Sequence, residues 1–320
     1  MALREPFSRL DDNPALRKKI LPCCRLKPGE IWTDKKSGHK VGVLDACSRK
    51  DIQQLFKNEK AALAIQDPPY NVAVGNKSTG NLFKIDTAGY SEFSRQWMEN
   101  TLCVLNSSAS LYVWLGADQK EHFQPLADFI MLMRNFPELR SRSLITMRNQ
   151  RGYGTQKNWM AVRQECLYYT RGTPVFNIQA EYTAIPRILR GYYKEVNGSR
   201  TDNAARSKSE NIRAGNVWVD IQQVFYRMAE NMPGCYAQKP LKAIERIMLA
   251  SSRPGDLVTD FFSHAGTTLL AGEIHGRKVF TFDTDPVYAE LTIRRLEHFR
   301  GTGKTGFQCA NPFPEAEKKV

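Results

Sequence analysis

The sequence predicts an α/β fold built on a mostly parallel sheet, and three observations carry that expectation. From Val41 to Tyr169, short apolar runs of strand length alternate with segments of helical period. From Leu257 to Asp283 the order is strand, small-residue turn, helix, strand and acid, a nucleotide-binding βαβ pattern. Between them, after Thr170, the alternation gives way to a stretch dominated by Arg, Lys, Tyr, Asn, Ser and Gly.

The chain has 320 residues, a net charge of +13 and 42% hydrophobic residues. That length exceeds one ordinary core, so a main domain with a substantial insert is expected. The charge favours a polyanionic partner: DNA, RNA or an acidic membrane surface. No run of about eighteen apolar residues reads as a transmembrane helix. Met1 to Leu21 is charged and lacks the apolar centre of a signal peptide. The seven cysteines, Cys23, Cys24, Cys47, Cys103, Cys166, Cys235 and Cys309, form no C-x-x-C pair. Their odd number and spacing argue against a zinc site or a disulfide framework and fit a reducing cytoplasm.

Taken in order, residues 1–40 read as an extension draped on the domain or partly disordered. Val41–Leu44 is a strand ending at Asp45. Ser48–Asn58 is a helix with Ile52, Leu55 and Phe56 on one face. Ala61–Ile65 is a buried strand. Residues 71–89 read as a long polar loop of the lid or substrate-contacting kind. Tyr90–Leu105 is a helix, its stripe of Phe93, Trp97, Met98 and Leu102 being core. Leu111–Leu115 is a strand, Glu121–Arg134 a helix, and Leu144–Met147 and Arg163–Tyr169 are strands. In the basic stretch, Arg187, Arg190, Arg206 and Lys208 are cations interleaved with Tyr182, Tyr192 and Tyr193, and no period lasts. Such a stretch is either a solvated face or a nucleic-acid contact. Leu241–Ala250 is an amphipathic helix, Leu257–Phe262 a strand, Ser263–Thr268 a tight turn leading into a helix through His275, and Lys278–Phe282 a strand. Pro286 opens the last helix, to about Phe299.

Two stretches carry chemistry. The first is Asp67-Pro68-Pro69-Tyr70, directly after the third strand. Two prolines cannot continue a ladder, so the strand ends in a stiff turn. That turn presents a carboxylate that, once ionised, only accepts hydrogen bonds, then proline carbonyls, then an aromatic ring. The second is Asp260-Phe261-Phe262-Ser263-His264-Ala265-Gly266-Thr267-Thr268, followed after the next strand by Asp283. An acid in that place takes ribose hydroxyls, while the missing G-x-G-x-x-G argues against a pyrophosphate ligand.

These residues resemble the DNA amino-methyltransferases. Asp67-Pro68-Pro69-Tyr70 is similar to their catalytic DPPY motif, and Asp260–Thr268 to their SAM-binding D-[PF]-F-x-G-S-G-T-T motif. Gln238-Lys239-Pro240 matches their QKP segment, and Asp285-Pro286 with Tyr288 their DPEY-like helix start. The catalytic motif precedes the basic insert and the SAM motif follows it, as in the β-type circular permutation. One position departs: His264 stands where the family usually has glycine.

The resemblance implies a Rossmann-like methyltransferase sheet, mostly parallel with one antiparallel strand, carrying a basic target-recognition insert. It implies residues 41–172 and 236–306 as two halves of one domain, 173–235 as the insert, 1–40 as an extension and 307–320 as a tail. The cofactor implied is S-adenosylmethionine (SAM) and the substrate is adenine N6 in double-stranded DNA, since Asp is typical as first motif residue in adenine enzymes. Cytosine N4, RNA, and a disabled SAM- and DNA-binding protein stay open. By resemblance Asp67, Pro68, Pro69 and Tyr70 act on the flipped base. Asp45, Lys239, Pro240, Asp260, Phe262, Ser263, His264, Gly266, Thr267, Thr268 and Asp283 form the cofactor site. Arg187, Arg190, Arg206 and Lys208 face DNA. Tyr168 either borders the flipped base or is a core tyrosine. No metal or membrane is implied, a homodimer and a cognate restriction endonuclease are left open as partners, and the expected compartment is a prokaryotic cytoplasm, at the nucleoid.

Overall fold

The apolar runs become the centre of one nine-stranded sheet. The computed structural model describes residue 10 and residues 13–69, 74–76, 81–83, 87–116, 124–153, 157, 159–178, 182–186, 193–202, 211–225, 227–235 and 238–316. All structural statements below are made of these residues. The strands are β1 (Ile31–Thr33), β2 (Lys40–Val43), β3 (Ala61–Gln66), β4 (Leu105–Leu115), β5 (Leu139–Tyr153), β6 (Ala161–Arg171), β7 (Val217–Trp218), β8 (Leu257–Asp260) and β9 (Lys278–Asp283). Their order in space is β1-β2-β9-β8-β3-β4-β6-β5-β7. β2, β9, β8, β3 and β4 are mutually parallel. β6 runs against β4 and β5, and is the expected antiparallel strand. A second one, not expected, is β1, which pairs antiparallel with β2 at the edge.

Both faces are covered, which is why the central strands are almost continuously apolar. The helices α5 (Leu241–Ser251), α6 (Thr267–His275) and α7 (Pro286–Thr302) lie over Leu63, Ile65, Trp114 and Val258. On the other face α2 (Arg49–Phe56), α3 (Thr87–Val104) and α4 (Pro125–Leu132) pack over Ala64, Leu111 and Phe280. Helix starts obey local capping chemistry. Ser48 accepts from the Asp51 amide before α2, and Asp285 accepts from the Val287 amide before α7, with Pro286 in the first turn. The N-terminal extension is docked: α1 (Pro14–Ile20) places Arg17 in a buried ion pair with Asp285, and Leu10 and Ile20 join Val287, Leu291 and Phe313 in a third cluster.

Three expectations need correction. β5 is far longer than Leu144–Met147, because its residues Arg140 to Ser143 put polar side chains on a half-exposed strand and hide the apolar signal. Within residues 71–89, Val74–Asn76 pairs with Asn81–Phe83 and α3 already starts at Thr87. In the basic insert, Tyr182–Pro186 pairs with Asn211–Arg213, and Tyr193–Val196 with Ser199–Asp202. The second pair turns on Asn197 and Gly198, both at positive φ (52° and 74°). Asn-Gly is the strongest short hairpin signal, because both residues tolerate that backbone.

Helix α6 lies so close to β9 that Gly272 has no room for a side chain. A Cβ there would sit 2.1 Å from Val279 Cγ2, a stiff β-branched core residue. Ala ordinarily favours a helix over Gly by about 1 kcal/mol. Here Gly272→Ala is expected to destabilise the fold by about 1–3 kcal/mol, and Val279→Ala in the same chain to recover part of the loss. Urea denaturation of the parent and the two variants measures it, and a stabilised Gly272→Ala protein would show that the helix does not pack this closely.

Candidate active site

Four neighbouring parallel strands, β2, β9, β8 and β3, all end on the same edge of the sheet. Asp45, Asp283, the 261–266 turn and Asp67 follow those ends directly. This is where open α/β sheets bind ligands. Three stitches fix the strand ends against each other. The buried amide of Gln66 accepts from the Phe261 N–H at 2.9 Å and donates to Thr101 Oγ1 at 3.3 Å, joining segments 195 residues apart. The Ser263 N–H donates to the Phe282 carbonyl at 2.8 Å, and the Leu44 N–H to the Asp283 carbonyl at 3.0 Å.

The turn after β8 is held from within. Asp260 accepts from the Phe262 N–H at 2.9 Å and from the Thr268 hydroxyl at 2.6 Å. Burial, with the nearby Asp67 charge adding to it, pushes the Asp260 carboxyl up to about 7. Beneath the turn, the fully buried Arg295 donates to the Ala265 carbonyl (2.8 Å), Thr267 Oγ1 (3.0 Å) and the Thr305 carbonyl (2.8 Å). Burial lowers its guanidinium to about 10. Gly266 enters α6 at φ 70°, where a Cβ would lie 2.9 Å from Thr292 Cα. A side chain at Gly266 would collide with backbone, so glycine is required there.

His264 also has a left-handed backbone, φ 42°. Its N–H donates to Asp283 Oδ2 at 3.1 Å, and its ring packs on Tyr288 with centroids 4.8 Å apart. The Asp283 carboxyl sits in a recess at the end of β9. Burial first, then the neighbouring Asp285 charge, push it up to about 7.

Opposite the turn, Lys239 donates to both Asp67 oxygens, at 2.8 and 2.7 Å. Its side chain is only 6% exposed, and its ammonium stands 5.5 Å from the centre of the Trp114 ring. Thr267 donates to the Lys239 carbonyl at 3.3 Å. Asp67, Trp114, Lys239, Asp260, Phe262, Ser263, His264, Thr267 and Thr268 line one cleft. The Phe262 ring is braced edge-on by Trp97 at 5.5 Å.

The remaining expected residues fall as follows. Pro240 is the residue before α5, its carbonyl accepting from the Ala243 and Ile244 amides. Pro68 is buried behind Asp67, and Pro69 is half-buried. Asp45 is exposed, with Oδ1 accepting from the Cys47 N–H. Tyr70, Arg187, Arg190, Arg206 and Lys208 lie outside the described residues. Tyr168 is a core tyrosine: it is mid-strand and stacks on Tyr112 at 4.4 Å and 7°. Gln66, Trp114 and Arg295 were missed. A Gln ending an apolar strand and an Arg within an apolar helix stripe were the signals, since each must find partners once buried.

A family described as DNA methylase matches residues 61–294. The type II methyltransferase M2.MboI of Moraxella bovis is 35% identical over 271 residues, covering 81% of this chain and 88% of its own. The DNA adenine methyltransferase YhdJ of Escherichia coli K12 is 27% identical over 252 residues, covering 75% and 77%. Among solved structures, the PvuII cytosine-N4-specific DNA methyltransferase superposes with a TM-score of 0.57 at 14% identity, over 84% of this chain and 89% of its own.

The backbone at His264 reverses the usual cost of glycine. A non-glycine residue at positive φ costs roughly 1–2 kcal/mol, and glycine's extra chain entropy costs roughly 0.5–1. His264→Gly is therefore expected to be at least as stable as the parent, and His264→Ala to be less stable, since it keeps the strain and loses the Tyr288 ring. Thermal melts of both decide it; an Ala variant more stable than the Gly variant would contradict the left-handed backbone.

Proposed function

The chain belongs to the DNA methylase family, and from that premise we propose that it moves a methyl group from SAM to the exocyclic N6 of an adenine flipped out of duplex DNA. The observation that carries the reading is the placement of Asp67 and the 261–266 turn on adjacent strand ends around one cleft, with Lys239 holding both Asp67 oxygens. The residues present fit the cofactor. An acid recessed at the end of β9 suits two ribose hydroxyls, Phe262 offers an apolar face, and Lys239 is a cation within reach of an amino-acid carboxylate. The turn has no cradle for phosphates, and SAM needs none. When bound, SAM supplies an electrophilic sulfonium methyl.

The rest is done by the chain. Asp67 and the Pro68 carbonyl accept hydrogen bonds from the two N–H groups of the target amine. This draws the nitrogen lone pair out of ring conjugation and favours the positive charge that develops on nitrogen. Pro68 and Pro69 keep those acceptors rigid, so little reorganisation is needed at the moment of reaction. Tyr70 is assigned to stack on the displaced base. The cleft lies at the strand ends, out of reach of a base within the stack, so flipping precedes chemistry. Arg187, Arg190, Arg206 and Lys208 are assigned to phosphates. Adenine as target is supported by Asp as the first motif residue and by the likeness to YhdJ.

Tritium transfer from labelled SAM to duplex DNA, followed by digestion to nucleosides, tests the reading. N6-methyladenine is expected; N4-methylcytosine would overturn the target base, and no label in DNA would overturn the activity. Asp67→Ala is expected to lower methyl transfer by at least about hundredfold, with SAM affinity weakened by no more than about tenfold. Near-full turnover in that variant would remove Asp67 from the chemistry.

The Asp283 carboxyl gives a pH dependence. Held at about 7 against an ordinary 3.8, it carries a proton on the acid side of neutrality in the cofactor-free protein. In that state its contribution to stability is complete below about 4 and lost as the pH rises through about 7. Ribose hydroxyls donate to the ionised form, so SAM affinity should fall as the pH drops below about 7, by at most about tenfold per unit. The rise in Tm produced by SAM is expected to be larger at pH 8 than at pH 6. Equal shifts at both would contradict an Asp283 contact.

A further inference from the structure

We propose that the hairpin joining β5 to β6 is a DNA-probing finger, and that Trp159 is the side chain that fills the gap a flipped target base leaves in the duplex. The inference rests on the DNA-methylation reading above. β5 runs parallel to β3, so its carboxyl end lies on the same edge of the sheet as Asp67. β6 starts on that edge. The pairings Gln66 with Val113, and Trp114 with Cys166, put Asp67 level with Cys166. Ala161, the first residue of β6, stands five residues before Cys166, which places it roughly 16 Å beyond the level of the catalytic turn at about 3.3 Å per residue, and Trp159 precedes it by two residues. β5 and β6 therefore extend past the strand ends on the edge where a flipped base must arrive, with Trp159 beyond the start of β6.

Its chemistry is that of a nucleic-acid contact. Trp159 is 93% exposed and Met160 60% exposed. Large apolar side chains at such a tip are the kind that enter between base steps, and indole stacks on any base. Below the tip, Arg148 and Arg163 are cross-strand partners, and both are exposed. Like charges placed directly opposite repel. Glu165, 3.2 Å from Arg163, offsets one of them and is itself buried and held by Thr146. The pair leaves a cationic surface on the flank of the finger, and a phosphate between the two arginines relieves the repulsion. Lys157 is exposed at the same turn. Acidic lipid or an acidic protein would meet these charges equally, but neither lies over a catalytic turn built to receive a base.

The test uses the full-length protein, tritiated SAM and two duplexes that differ only opposite the target base, one paired and one mismatched. A mismatched base costs less to extrude. Trp159→Ala is expected to lose about ten- to hundredfold in methyl transfer to the paired duplex, the range a lost stacked base predicts, and less than about threefold to the mismatched one. Trp159→Phe should keep most of the activity on both. SAM binding by calorimetry and the thermal melt should not change. Arg148→Ala should reduce the slope of log affinity against log salt by about one. Equal loss of Trp159→Ala activity on both duplexes, or loss on neither, overturns the wedge. A wild-type protein that labels neither duplex instead overturns the methylation reading itself.

Discussion

A lysine taken almost wholly out of water must be paired, and the partner of Lys239 is Asp67. An ammonium in that position left without a carboxylate costs several kcal/mol. The requirement ties the segment before α5 to the end of β3, across the whole insert. It also fixes the Asp67 carboxylate, which is held at both oxygens by one buried cation. The Trp114 ring behind the ammonium keeps water from replacing that partner. Much of the cleft follows from this pair: Thr267 bonds the Lys239 carbonyl, which couples the pair to the first residue of α6 and to the turn below it.

The turn shows the reverse economy. Asp260 and Asp283 sit where burial disfavours their charge, and Arg295 is buried beneath them with no carboxylate in direct contact. Each is tolerated because its hydrogen bonds are made: Asp260 to a hydroxyl and an amide, Arg295 to carbonyls and a hydroxyl. His264 belongs to the same account. Its strained backbone persists because its N–H bonds Asp283 and its ring has Tyr288 to lie on.

Much of this was legible in the sequence because the chemistry is local. An acid, two prolines and a tyrosine after an apolar run, and a small-residue turn between a strand and a helix, are short patterns that tolerate little variation. The adjacency of β3 and β8 followed from the motif order together with the resemblance. What the sequence hid was of two kinds. Long strands with one solvated face, such as β5, break no apolar run and announce no ends. Long-range polar contacts have no period at all: Arg17 to Asp285, and Gln66 to Phe261, join residues whose neighbours say nothing of each other. The N-terminal extension read as draped on the domain or partly disordered, with no way to choose, for that reason. Its anchoring ion pair and the edge pairing of β1 are properties of the folded surface it meets.

The reversed strand explains why a single sheet can present both a recess and a projection on one edge. Among the parallel strands, the carboxyl ends of β2, β3, β4 and β8 are each followed by a crossover that returns to the other edge before the next strand. Those returns keep the ends low and enclose a cleft. β6 breaks the pattern. Because it runs the other way, β5 is joined to it by a hairpin that rises from the carboxyl edge with no crossover to pull it back. β3 and β6 lie only two strand spacings apart, roughly 10 Å. A cleft at the parallel strand ends and a hairpin beside it are thus consequences of one topological choice, and the distance between them is set by the ladder of β4 and β6 rather than by any loop.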